Sequence, residues 1–191
     1  MHRIDRGTSG VLLFALDPDT LRTVRVEFEA GRVGKRYVAL VRGWPAESLT
    51  IDHPLKSLDD DATPRADAPA QAAVTHLRRL ATVELPIPVD RYPAARYALV
   101  ELTPEHGRRH QLRRHLKHIH HPIVGDTTYG KGVHNRIYRE HFGCERMLLH
   151  AALLELEHPS TKQRLVLAAP VTGAFRAVLD TLGLSTALRG G

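Results

Sequence analysis

The sequence predicts a mixed α+β domain, largely antiparallel sheet with flanking helices. Short apolar or alternating runs of strand length recur along the whole chain, whereas few stretches repeat at helical spacing. Fourteen Gly and twelve Pro lie scattered among them, as turn residues between many short strands would. No internal repeat or compositional boundary divides the chain. A single domain is therefore expected over residues 1–184, with a flexible tail over 185–191.

Residues 9–16, SGVLLFAL, are rich in strand formers and are expected as a buried strand. Asp17-Pro18-Asp19 breaks that run. From Thr20 onward Leu21, Val24 and Phe28 recur at helical spacing, and Gly31 and Gly34 end the helix. Residues 35–43, KRYVALVRG, alternate as a second strand, and residues 50–55 form a third that stops at Pro54. Residues 56–73 are rich in Asp, Ala and Pro without periodicity and are expected as a flexible loop. Strands over 74–83 and 95–102 flank a stiff connection containing Pro86, Pro88 and Pro93. Residues 109–119 make a helix with Leu112, Leu116 and Ile119 on one side. Strands over 147–156 and 164–168 surround a His158-Pro159-Ser160 turn, and a helix over 175–182 closes the domain.

With 191 residues, 42% hydrophobic and 25% charged, the chain can bury an ordinary core. No apolar run is long enough for a membrane helix or a signal peptide. The single cysteine, Cys144, rules out an internal disulfide and a thiolate zinc site. It reads as an inert structural thiol in a reducing, cytoplasmic protein. A net charge of +6 favours a polyanionic partner. The charge is segregated: from His106 to His121 there are four Arg, one Lys and six His with no acid.

Three groups of residues could carry chemistry. Asp5 stands between Arg3 and Arg6, ahead of Gly7 and Gly10. It reads either as a solvated ion pair or as a carboxylate that neighbouring cations keep ionised, on a tight loop before a strand. The basic run Arg108, Arg109, His110, Arg113, Arg114 and Lys117 is either a solvated helix face or a phosphate-binding surface. One arginine turned inward could instead fork onto a buried carboxylate. The histidines carry no HExxH pattern and no acid among them, so no metal site is expected, and partial protonation near a polyanion suits them better. Tyr37, on an alternating strand, is either core or a platform for an unstacked base.

Together these segments resemble the RluA-type pseudouridine synthases. HRIDRGTSGVLLFA is similar to that family's catalytic loop, KRYVALVRG to its tyrosine-bearing strand, and GRRHQLRRHL with HPIVGDTTYG to its arginine motif and the segment after it. MLLHAALLELEHP resembles the late strand that closes the core. LATVELPIPVDRYPAARYALVEL and HNRIYREHFGCERMLLHA are most similar to a branch that modifies tRNA.

The resemblance implies an isomerase that turns uridine into pseudouridine without any cofactor. Its implied substrate is tRNA at position sixty-five, near the junction of T-stem and acceptor stem, with rRNA as the alternative. It also implies that Asp5 is the nucleophile, that Arg113 pairs with it, and that Tyr37 stacks on the flipped base and helps relay a proton. Arg3 would fill the gap left in the RNA stack. A duplex uridine is unreachable until extruded, at a cost of a few kcal/mol, so an intercalating and a stacking side chain are both needed. Family members carry further strands and a Lys-Pro segment ahead of the catalytic loop. The expectation is therefore a domain cut short at its N-terminus, with an exposed sheet edge, or a non-catalytic RNA-binding remnant. No protein partner is evident, and a monomer is expected.

Overall fold

The computed structural model describes residues 2–189. Chain order is β1 (Ser9–Gly10), α1 (Pro18–Glu29), β2 (Gly34–Arg42), β3 (Ser48–Asp52), β4 (Leu55–Lys56), β5 (Ala70–Gln71), β6 (Val74–Leu85) and β7 (Ala95–Pro104). It continues with α2 (Gln111–His118), α3 (Gly132–Phe142), β8 (Leu149–Glu157), β9 (Arg164–Ala168), α4 (Gly173–Thr181) and a 3-10 turn over Ser185–Arg189. A seven-stranded sheet runs β1-β8-β2-β7-β6-β3, with β9 also on β8. Only the short β1–β8 pairing is parallel, so the α+β expectation holds. Among the described residues no helix is long and apolar enough to cross a membrane.

The central strands are buried on both faces, and their alternation decides which layer each residue joins. On β2, Val38 and Leu40 point into a core shared with Leu99, Phe175 and Leu179. Ala39 and Val41 point the other way, onto Leu112 and Leu116 of α2. Each such fully buried Leu contributes roughly 1.5–3 kcal/mol of hydrophobic stabilisation. A third cluster packs Val24 of α1 onto Leu154 and Leu156 of β8. The site lies on the α2 side, where that layer meets the loop before β1.

Several expectations need correction. Residues 9–16 are not a buried strand: only Ser9 and Gly10 pair, and Phe14 and Leu16 are 59% and 99% exposed. The reason lies in β8, whose outer edge is taken from Leu153 onward by β9, leaving nothing for β1 to continue along. Asp17 and Pro18 do more than break that run. The Asp17 side chain accepts from the Thr20 amide (2.8 Å) as N-cap, with Pro18 in the first turn.

The loop over 56–73 is not left free. β4 pairs with β5 across it, Leu58 bridges Pro64, and Lys56 Nζ donates to the Ala66 carbonyl (3.1 Å). α3 lacks any counterpart in the sequence reading, because its buried residues His134, Ile137 and Tyr138 mix polar with apolar and give a weak stripe. The segment read as a frayed tail forms a 3-10 turn as far as Arg189, and Ala187 and Leu188 pack on the core. Residues 190–191 lie outside the described residues.

Candidate active site

The loop carrying Asp5 is fastened at both ends. The His2 ring stacks on Phe28 of α1 (centroids 5.1 Å apart), and its Nδ1 accepts from the Leu13 amide (3.2 Å). The Thr8 amide donates to the Asp5 carbonyl (2.8 Å) and closes a turn. Gly10 has φ 111°, and a Cβ there would collide with the Ala151 carbonyl, so only glycine lets β1 lie this close to β8. Arg146 Nη2 donates to Ser9 Oγ (2.9 Å) and the Gly7 carbonyl (3.3 Å). His150 donates from Nε2 to the Ala169 carbonyl (2.9 Å), so its Nδ1 accepts from the Ser9 hydroxyl (2.8 Å). Asp5 therefore rests on a short, braced segment.

Asp5 opens onto a cleft of about 910 Å³, which Arg3, Tyr37, Arg108 and His110 also line. Its side chain is 25% exposed, and Arg113 Nη1 lies 3.5 Å from Oδ2. That contact is the weaker half of what Arg113 does. Its Nε and Nη2 donate to the two oxygens of Asp126, at 2.7 and 2.9 Å, as a bidentate fork. Asp126 Oδ1 also accepts from the amides of Thr128 and Tyr129, each at 2.9 Å. Burial pushes the Asp126 carboxyl up. The Arg113 guanidinium and those two amides outweigh it and hold the group below the usual carboxylate range. The Tyr129 ring lies under the guanidinium, 5.0 Å from its carbon, and its hydroxyl meets His110 Nδ1 at 3.1 Å.

Asp126 is itself positioned by α3. The Gly125 amide donates to Asn135 Oδ1 (2.8 Å), and Asn135 Nδ2 donates to the Asp126 carbonyl (3.0 Å). α2 is latched to β6 by a second chain of bonds. Gln111 Nε2 donates to the Val74 carbonyl (2.9 Å) and Thr75 Oγ1 (3.1 Å). His115 donates from Nε2 to the His53 carbonyl (3.0 Å), so its Nδ1 accepts from the Thr75 hydroxyl (2.9 Å). The helix direction that aims Arg113 is thereby set.

Of the other basic residues, Arg3 is exposed at the cleft mouth, while Arg108 lines it and donates from Nε to the Ala72 carbonyl (3.1 Å). Arg109 donates to the carbonyls of Asp59 and Asp60, and Arg114 to that of Lys56 (2.9 Å). Both thus hold the 56–73 segment, a use that local spacing gave no sign of. Lys117 is exposed, 5.7 Å from the Tyr129 ring centre. The run does contain an inward arginine, and its balancing acid sits outside the run at Asp126. Burial lowers the pKa of His110 and of His115, which disfavours their protonation in the chain by itself. Tyr37 is pushed up to about 12, by burial first and by the Asp5 charge second, which puts its phenol near that carboxylate. Cys144 is buried, which raises its thiol, consistent with a structural role.

A carboxylate, a forked arginine and a half-buried tyrosine around one open cleft suit an enzyme that works on a large anionic substrate by acid–base or nucleophilic chemistry. The family model described as RNA pseudouridylate synthase matches residues 1–118, and the chain belongs to that family, an isomerase acting on RNA. Over 191 residues it is 47% identical to the tRNA pseudouridine synthase C of Vibrio cholerae, covering 98% of this chain and 78% of that protein. Over 185 residues it is 48% identical to the protein of the same name from Salmonella typhi, covering 95% and 71%. The fold is similar to that of Human RNA Pseudouridylate Synthase Domain Containing 1. There the TM-score is 0.71 at 28% identity, over 100% of this chain and 79% of the other. The family match takes in Asp5, Tyr37 and Arg113 but ends before Asp126.

Proposed function

We propose that this chain isomerises a uridine of tRNA to pseudouridine, with Asp5 as the nucleophilic carboxylate. The observation that carries the reading is the Arg113 geometry. A guanidinium locked onto Asp126 keeps one nitrogen 3.5 Å from the Asp5 carboxylate, a cationic donor that holds this side chain at the cleft. The similarity to proteins named tRNA pseudouridine synthase C supports tRNA as the substrate.

In this reading the uridine leaves its helix, Arg3 fills the vacated stack, and Tyr37 packs on the base beside Asp5. The carboxylate adds to the nucleotide and the bond from C1′ to N1 breaks. The uracil turns, C5 bonds to C1′ as Asp5 is released, and the proton lost from C5 is matched by one taken up at N1. Nothing is gained or lost overall, so no co-reactant is required. The remaining basic side chains at the mouth, Arg108 among them, meet phosphates. The chain is proposed to act in the cytoplasm as a monomer.

The test is incubation of the purified chain with unmodified tRNA transcript, followed by carbodiimide primer extension, alongside Asp5→Ala and Asp5→Asn. Pseudouridine formed at one T-arm-proximal position and lost in both variants is the expected result. Product that persists in Asp5→Asn would overturn the nucleophile. Product on rRNA fragments but not on tRNA would overturn the substrate, and RNA binding without product on either would overturn catalysis by this chain.

A further inference from the structure

Lys35 is the unexplained charge in the cleft. It stands two residues before Tyr37 on β2 and is only 9% exposed. A buried ammonium is costly unless a carboxylate or several hydrogen bonds compensate it. Among the described residues, Lys35 makes a single hydrogen bond, 3.4 Å long, to the Glu105 carbonyl, and enters no ion pair. Burial lowers its pKa with no carboxylate opposing the effect.

The two glutamates that line the same cleft are engaged elsewhere. Glu105 meets His76 Nε2 at 2.6 Å, and Glu29 accepts from Arg25 Nε at 2.6 Å. The charge also disfavours protonation of the nearby His2, after burial of that ring. Beyond that one bond, the ammonium has donors that nothing among the described residues accepts from, at the edge of the space where RNA is read to bind. Two residues along a strand are about 7 Å, so the ammonium stem starts about one nucleotide's length from Tyr37, on the same face.

We propose that Lys35 anchors an RNA phosphate in the cleft, that of the nucleotide adjoining the uridine presented to Asp5 and Tyr37. The inference rests on the RNA reading above and names a contact within it. A phosphodiester supplies the missing acceptor and turns an uncompensated charge into a charge-assisted hydrogen bond.

The experiment compares wild type, Lys35→Met and Lys35→Arg in the full chain for binding of unmodified tRNA transcript across a salt series, with thermal midpoints of the free proteins. Lys35→Met is expected to bind about tenfold more weakly at low salt. Its slope of log Kd against log salt should be shallower by roughly 0.7–0.9, the signature of one lost phosphate contact. Its free-state midpoint should equal or exceed that of wild type, and Lys35→Arg should keep the wild-type slope. An unchanged slope in Lys35→Met, as for a lysine bonded to a uracil carbonyl, overturns the anchor. So does a lowered midpoint or failure to fold, which would make the lysine structural. Wild type that binds no RNA at all overturns the RNA reading instead, so the two failures are distinguishable.

Discussion

Arg113 gives two of its hydrogen bonds to Asp126 and leaves only one nitrogen, at 3.5 Å, for Asp5. The catalytic carboxylate candidate is thus the lesser partner of its arginine. The stronger pair, 13 residues apart in sequence, sets where that arginine can point. In the proposed reading, Asp126 acts through Arg113 and is a positioning residue.

Replacing Asp126 by Asn keeps the shape but removes the charge that the fork needs. Breaking a buried pair of this kind costs about 3–5 kcal/mol of stability, read as a shift in urea midpoint. Turnover should fall on the order of a hundredfold while the KM for tRNA stays near wild type, because the loss is one of aim. The pH dependence has a definite sign. The Asp126 carboxyl lies below its ordinary 3.8 in the fold, so its contribution is present above that value and is lost as pH falls through the folded one. The stability gap between wild type and Asp126→Asn should close in strong acid.

Arg113→Lys retains a cation but cannot grip both Asp126 oxygens and reach Asp5 together. Single-turnover rates on tRNA should drop by about as much as in Asp126→Asn, and the double variant should cost little more than either single one. Fully additive losses would show that Asp126 acts independently of the arginine.

Tyr37 is pushed up to about 12, first by burial and then by the Asp5 charge, so its phenol stays protonated through the working range. The rate profile of Tyr37→Phe between about pH 6 and pH 9 should keep the wild-type shape, with no limb lost. Tyr37→Ala should lose about 1–3 kcal/mol of transition-state stabilisation through the missing stack, read from kcat/KM.

His134 is buried against Tyr97, whose hydroxyl lies 2.9 Å from its Nδ1, and burial lowers its pKa to about 4 from 6.5. The unfolded chain therefore takes up this proton first. Stability is intact above about pH 6.5 and falls below it, by about 1.4 kcal/mol per pH unit, until the folded value is reached. Urea midpoints from pH 7.5 down to pH 4.5 should show that decline, and His134→Gln should flatten it.

Much of this was readable from local pattern. Residues 164–168 are a strand with the bounds the alternation suggested, and KRYVALVRG lies within one residue of β2. The inward arginine is one of three readings of the basic run, and the resemblance singles out Arg113. What stayed hidden was every property that depends on what lies alongside a segment. SGVLLFAL looks like a core strand by composition, yet β9 occupies the edge it would need, and Leu16 is left in solvent.

By itself, then, the sequence determined the α+β class, the strand alternation, and the group of Asp5, Tyr37 and Arg113 as the residues to watch. Backbone propensity, side-chain periodicity and motif order are carried by neighbours a few positions apart. Only the tertiary structure decided that Asp126 holds Arg113, that Arg109 and Arg114 serve the 56–73 segment, and that Lys35 is buried without a counter-charge among the described residues. Those outcomes turn on which distant groups share a low-dielectric space. Ionic energies there depend on separation and burial, and neither quantity is written in local sequence.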